Sequence, residues 1–155
     1  MDDPKINVRG ARSGDESAFL DMWKDFVGAI PGEPGNHAMG ELNWARAMDP
    51  AHALQCIIAS DGNRGPIGFA LFLAFPFTWS RGDVCYLQDI YVSAQSRGRG
   101  AAHAMIVHLQ RLGEEAGWFK IFWMTQRDNF AAQRLYEKVA KRMDYFRYDL
   151  DISEP

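Results

Sequence analysis

Tyr86-Leu-Gln-Asp-Ile-Tyr-Val-Ser-Ala-Gln-Ser-Arg-Gly-Arg-Gly-Ala-Ala-His-Ala-Met105 reads as a strand, a short loop and the first turns of a helix. Leu87, Ile90, Tyr91 and Val92 have the apolar, β-branched and aromatic character of a buried strand. Further on, Ala102, Met105, Leu109, Leu112 and Ala116 recur at helical spacing. Between the two patterns lies Arg97-Gly-Arg-Gly100. A loop entering a helix presents unpaired N–H groups at the positive end of the helix dipole. Gly98 and Gly100 permit unusual dihedrals and carry no Cβ to hold a ligand away, while Arg97 and Arg99 add charge and donors. The combination suits a phosphate or pyrophosphate. Glycine-rich turns of this kind also serve packing alone, so the loop by itself leaves both readings open. It is not a G-x-x-x-x-G-K-[ST] loop, and its two glycines fall short of a dinucleotide fingerprint.

The chain has 155 residues, enough for one domain with a real core, and the expected unit is a single domain over 1–155. A net charge of −3 argues against a general nucleic-acid binder. Cys56 and Cys85 form no close pair, which fits neither a metal pattern nor a disulfide framework, and both lie in apolar runs that suit reduced, buried thiols. His37, His52, His103 and His108 have no metal spacing either, so no metal is expected. The acidic N-terminus does not resemble a signal peptide, and the apolar run Ile67 to Trp79 is too short to span a membrane. A cytoplasmic protein without membrane or nucleic-acid partners is expected.

Taken in order, Ile6 to Arg9 reads as a strand, and Ser13-x-x-Glu16 as a capping box opening a helix with Phe19, Met22, Trp23, Phe26 and Ile30 on its apolar face. Pro31-Gly-Glu-Pro-Gly35 ends that helix, and Met39 to Met48 makes another, with Leu42, Ala45 and Met48 on one side. Strands follow at Ala53 to Ser60 and Ile67 to Phe75, joined by the turn Asp61-Gly-Asn-Arg-Gly65. After the quoted stretch, Gly117 is a C-cap candidate and Lys120 to Thr125 a strand. Asn129 to Ala140 is a helix with Ala132, Leu135 and Val139 toward the core, and Tyr145 to Ile152 a last strand. The order predicts an α/β fold of mixed type, with helices on both faces of the sheet and a parallel crossover through the long helix.

A second motif opens the last helix: Asn129-Phe-Ala-Ala-Gln-Arg-Leu-Tyr-Glu-Lys138. Asn129 is a good N-cap. Tyr136 stands seven residues on, about two turns and roughly 10 Å along the axis, on nearly the same face. Singly, the asparagine is explained as a cap and the tyrosine as a core residue with a satisfied hydroxyl. Together, downstream of an anion-suited loop, they offer an elongated ligand an amide at one end and a phenol at the other.

R-x-x-G-x-A at Arg97, Gly100 and Ala102, with N-x-x-A-x-x-L-Y-E-K from Asn129, resembles the two signatures of the GNAT family of N-acetyltransferases. Tyr86-Leu-Gln-Asp-Ile-Tyr-Val92 and the aromatic turn Phe75-Pro-Phe-Thr-Trp79 look most like the polyamine and diamine N-acetyltransferases and their histone/polyamine relatives. The resemblance spans roughly residues 5 to 150. It implies a mixed, mostly antiparallel sheet of six to seven strands, with acetyl-CoA as cofactor. It implies that the loop segment Gly98, Arg99, Gly100, Ala101, Ala102 and His103 takes the pyrophosphate, with Arg97 beside it. The pantetheine arm would pair with the strand edge at Ile90, Tyr91 and Val92 and meet Asn129, while Tyr136 would protonate the departing thiolate. The chain departs from the subgroup in two places. Gln88-Asp89 stands where a Glu–Asp pair is common, and Gln88 cannot act as a base. The segment after Lys138 also lacks the usual glycine–aromatic pair.

The expected reaction is direct transfer from acetyl-CoA to a primary amine, with backbone N–H groups near Ile90 to Val92 stabilising the developing oxyanion. Asp89 is the candidate for holding the amine and, through water, accepting its proton, if a bulge in the strand turns it toward the amine. Trp79 offers a face to a cation and Gln88 a neighbouring amide, so a small polycationic or polyamine-like amine is the expected substrate. Three alternatives stand beside this reading: acetylation of proteins or peptides, a non-catalytic acyl-CoA-binding module, and a covalent route through Cys85. The covalent route is disfavoured because no basic neighbour in sequence lowers the pKa of that thiol. A homodimer through the C-terminal strand is expected from the resemblance and from Tyr145, Phe146 and Tyr148.

Overall fold

The computed structural model describes residues 6–30, 36–62 and 64–153; the expected helix stop at 31–35 lies outside them. The elements are β1 (Ile6–Gly10), α1 (Glu16–Gly28), α2 (Met39–Met48), β2 (Gln55–Asp61), β3 (Gly65–Phe75), β4 (Val84–Val92), α3 (Ala101–Ala116), β5 (Lys120–Phe122) and α4 (Phe130–Val139). They fall into two compact units, 1–123 and 124–155.

In the first unit the five strands lie in the order β1-β2-β3-β4-β5. The first three pairings are antiparallel and β4–β5 is parallel, with α3 as the connection between them. The apolar run of β3 is at the centre and is buried from Ile67 to Phe72, on both faces as its sequence predicts. On one face Phe19 and Trp23 of α1 and Trp44 of α2 pack with Ile58, Phe69, Leu71 and Tyr91. Phe19 is the hub, its ring centroid 5.1 Å from Trp44 and 4.9 Å from Phe69. Each such ring taken out of water stabilises the fold by about 1.5–3 kcal/mol.

Several local expectations are corrected. Asp15, and not Ser13, supplies the fastening side chain, and it closes the short 3-10 turn Ser13–Asp15 that leads into α1. The Asp15 carboxylate accepts from the Arg12 backbone N–H at 2.8 Å and is gripped at both oxygens by Arg9, at 2.7 and 2.9 Å. On α2 the buried residues are Gly40 and Trp44, while Leu42 is exposed, because the larger indole takes the place against Phe19. On α3 they are Ala101, Met105, Ile106, Leu109 and Gly113, which keeps Met105 and Leu109 of the expected stripe, replaces Ala102 by Ala101 and Leu112 by Gly113, and leaves Ala116 exposed. Gly117 ends α3 as expected, with φ 73°.

In the second unit α4 matches its predicted span within one residue. The last predicted strand does not form. Phe146, Tyr148, Leu150 and Ile152 are exposed, and residues 140–152 form no helix or strand. The described sheet therefore has five strands and not six or seven. Alternation marks a segment as able to pair, but a strand exists only when a partner supplies the hydrogen bonds.

Candidate active site

The quoted stretch folds as read, and its value lies in how β4 treats its two neighbours. Pairing with β5 runs only from Val84↔Lys120 to Tyr86↔Phe122. Beyond Tyr86, β4 continues to Val92 with β3 on one side and no strand on the other among the described residues. Ile90, Tyr91 and Val92 thus present a backbone edge of the kind that an extended ligand with amides can occupy.

On the β3 side the register steps from Leu71↔Asp89 to Phe72↔Leu87, leaving Gln88 unmatched. The expected bulge is therefore present, at Gln88, which is exposed. Its effect follows from alternation. Leu71 and Phe69 belong to the face packed by α1 and α2, and antiparallel partners share a face, so Asp89 and Tyr91 point to that side. Phe72 and its partner Leu87 point to the other. Without the bulge, Leu87 and Asp89 would share one face. Partly buried there, the Asp89 carboxyl is pushed by desolvation from its usual 3.8 up to about 6.

At the C-terminal end of β4 the chain turns into α3 through Gly98 and Gly100, with φ 75° and 84°. This left-handed backbone is one that glycine adopts at no steric cost. A Cβ added at either position would meet nothing within 4 Å, so the space beside this backbone is open. The first hydrogen bond into α3 runs from Ala104 N to Gly100 O at 2.9 Å. The amides of Ala101, Ala102 and His103 precede it, and the helix supplies no carbonyl for them. Open backbone, free amides and the positive helix end together fit a diphosphate.

The two arginines behave differently. Arg97 donates from Nε to the Val92 carbonyl at 3.1 Å, and its guanidinium lies over the Tyr91 ring, 5.8 Å from the centroid. Burial raises the Tyr91 phenol pKa, and Asp25 adds to the rise while Arg97 opposes it. Arg99 reaches back to β2, where Nη1 pairs with Asp61 Oδ2 at 2.9 Å. Asp61, read from sequence as a turn residue, is the partner that local pattern did not reveal.

Trp79 stands in the turn before β4 and is 88% exposed. It neighbours Phe77, which stacks on Phe119 at 5.8 Å beneath the Lys120 ammonium. Lys120 pairs with Val84, about 17 Å of strand from Asp89, so the aromatic turn packs at the other end of β4 from Asp89. Tyr86 and Phe122 stack flat at 4.9 Å on the Asp89 side of the sheet. Cys85 is fully buried and burial pushes its thiol up to about 12, which leaves almost no thiolate at neutral pH for a covalent route. Among the described residues no three His, Cys, Asp or Glu side chains are grouped to hold a metal, and no helix is long and apolar enough to cross a membrane.

In the second unit Asn129 caps α4, its Oδ1 accepting from Ala132 N at 3.3 Å. The cap leaves the Nδ2 donors out of that bond. Tyr136 follows two turns later, and burial raises its phenol pKa above the usual 10.

Residues 17–140 match the model of the acetyltransferase (GNAT) family. The chain is 31% identical over 153 residues to the D-amino-acid N-acetyltransferase HPA3 of Saccharomyces cerevisiae, covering 96% of this chain and 92% of that protein. Among solved structures it resembles a ribosomal-protein-alanine N-acetyltransferase from Brucella melitensis biovar Abortus 2308. There the TM-score is 0.78 at 22% identity, over 95% of this chain and 99% of that one. It also resembles the aminoglycoside N-acetyltransferase AAC(6')-Iy in complex with CoA, with a TM-score of 0.73 at 20% identity over 96% of each chain.

Proposed function

The chain belongs to the acetyltransferase (GNAT) family, and on that premise we propose that it acetylates a small primary amine whose cationic head is held at Asp89. The protein is an enzyme with acetyl-CoA as its cofactor. Bound acetyl-CoA supplies a thioester open to attack by a neutral amine. The family match crosses from 17 to 140, which supports reading 1–155 as one acetyltransferase domain.

The observation that carries the proposal is the bulge at Gln88. It turns a partly buried carboxylate onto the same face as Tyr91, beside the strand edge left open by β5. In this reading the amides from Gly98 to His103 hold the diphosphate, with Arg97 beside them. The edge Ile90–Val92 pairs with the pantetheine arm and supplies N–H groups to the oxyanion. Asp89 accepts the ammonium proton through water, Asn129 contacts the pantetheine arm, and Tyr136 returns a proton to sulfur.

The sequence favours a polycationic acceptor gripped by Asp89 and Trp79 together. The separation of those two residues supports instead a single cationic head at Asp89. The yeast relative adds amino acids to the classes worth testing. The experiment is a thiol-release assay of wild type and Asp89→Asn with a polyamine, D- and L-amino acids, an aminoglycoside, a peptide N-terminus and an uncharged amine. If Asp89 anchors the cation, the variant loses about 10-fold on cationic acceptors and less on the uncharged one. A uniform loss assigns Asp89 to proton transfer or folding, and no loss removes it from the site.

The raised pKa adds a second readout. Because the folded-state value of about 6 exceeds the usual 3.8, ionising Asp89 costs folding stability. That cost is absent below the lower value, grows between the two and is complete above the higher one. Asp89→Asn is therefore expected to raise the melting temperature at alkaline pH and leave it unchanged at about pH 3.

A homodimer completes the proposal. Residues 145–152 keep strand alternation with Phe146, Tyr148, Leu150 and Ile152 exposed, a pattern that favours pairing with a second copy. Light scattering at twice the monomer mass of 17.5 kDa is expected at micromolar concentrations, and monomer mass throughout that range removes the dimer.

A further inference from the structure

Arg99 is the only side-chain-bearing residue between the two left-handed glycines of the loop. Glycine loses more freedom on ordering than any other residue, so a Gly-x-Gly turn holds one shape only if something else fastens it. Arg99 is fastened. Its partner Asp61 is 1% exposed, and its backbone is paired on both sides, with Ile6 of β1 and Gly65 of β3. The Asp61 carbonyl also closes the β2–β3 turn by accepting from Arg64 N at 2.9 Å. The anchor is therefore rigid and lies 38 residues away in sequence. Removing the guanidinium would take a charge partner from a buried carboxylate, which is costly, so the pairing holds Arg99 toward β2.

We propose that Arg99 and Asp61 are a positioning pair. Their ion pair holds Gly98–Gly100 in the shape that aims the loop amides at the diphosphate of acetyl-CoA, and neither side chain touches the ligand. Arg99 thereby moves from the expected phosphate contact to a tether. The inference rests on the reading of this loop as the diphosphate site.

The consequence is specific to the part of the donor that the loop holds. Wild type, Arg99→Gln, Asp61→Asn and the double variant are compared with acetyl-CoA and with S-acetylpantetheine, which lacks the diphosphate, at saturating amine. For each single variant the KM for acetyl-CoA is expected to rise about 10-fold, the effect of freeing roughly one loop residue, with kcat within twofold. The KM for S-acetylpantetheine stays at its wild-type value. The double variant removes both charges, so it recovers much of any lost melting temperature while keeping the raised KM. The proposal is overturned if both donors' KM values rise together, if neither changes, or if Arg99→Gln alone has the effect. The last result would make Arg99 a direct ligand contact. A wild-type enzyme that does not prefer acetyl-CoA to S-acetylpantetheine would remove the diphosphate reading itself. That outcome is distinct from a failure of the pair alone.

Discussion

Tyr136→Phe is expected to lower turnover by roughly 10-fold to 10³-fold, at or below the usual range for general acid catalysis. Acetyl-CoA affinity should stay nearly unchanged. The substitution keeps the ring and removes the one proton in question. A thiolate leaving at neutral pH gains from a donor that is still protonated there, and burial raises the Tyr136 pKa further above 10, so the phenol stays loaded. Its place two turns beyond the Asn129 cap is fixed by helix geometry, which the substitution does not disturb. The check is single-turnover thiol release beside calorimetric titration with CoA. Equal turnover in the two proteins would mean that the tyrosine is structural or that water delivers the proton. A fall in affinity matching the fall in turnover would mean that its role is binding.

Gly100→Val is the second large effect: about 10- to 100-fold weaker CoA binding by a protein that still folds. Two causes act together. A β-branched residue at φ 84° is strained by roughly 1–3 kcal/mol, which moves the loop or frays the start of α3. The added Cβ and methyl groups would also project into space that is open in the structure and that the proposed reading gives to the diphosphate. Gly100→Asn separates the causes, since asparagine tolerates the left-handed region but still adds bulk. If Asn binds as weakly as Val, the close approach dominates. If Asn binds nearly as well as Gly, strain dominates. Unchanged CoA affinity in both Gly100→Val and Arg97→Ala would remove the diphosphate assignment.

The features legible without a structure were those whose cause is local. Gly98 and Gly100 announce a left-handed turn because of what glycine lacks. Asn129 announces a helix start because its side chain reaches an amide three residues on. The Asn129–Tyr136 spacing follows from residues per turn. Each depends on at most a few neighbours in the chain, so the two motifs, the element order as far as α4 and the family resemblance could be read from the sequence. The features that needed tertiary structure depend on a partner distant in sequence. The bulge at Gln88 exists only relative to the register of β3, and it alone decides which face Asp89 takes. The buried side of α2 is decided by Trp44 meeting Phe19, which no periodicity within α2 could indicate. The tail has a strand's alternation and no strand, because pairing depends on a neighbour and not on the pattern alone. Arg99 reads from its loop as a source of charge and donors, and its pairing with Asp61, 38 residues earlier, is visible only once the chain has folded. Local dihedral and helix preferences are written residue by residue, whereas the partner of a side chain or a strand edge is settled only when the chain folds back on itself.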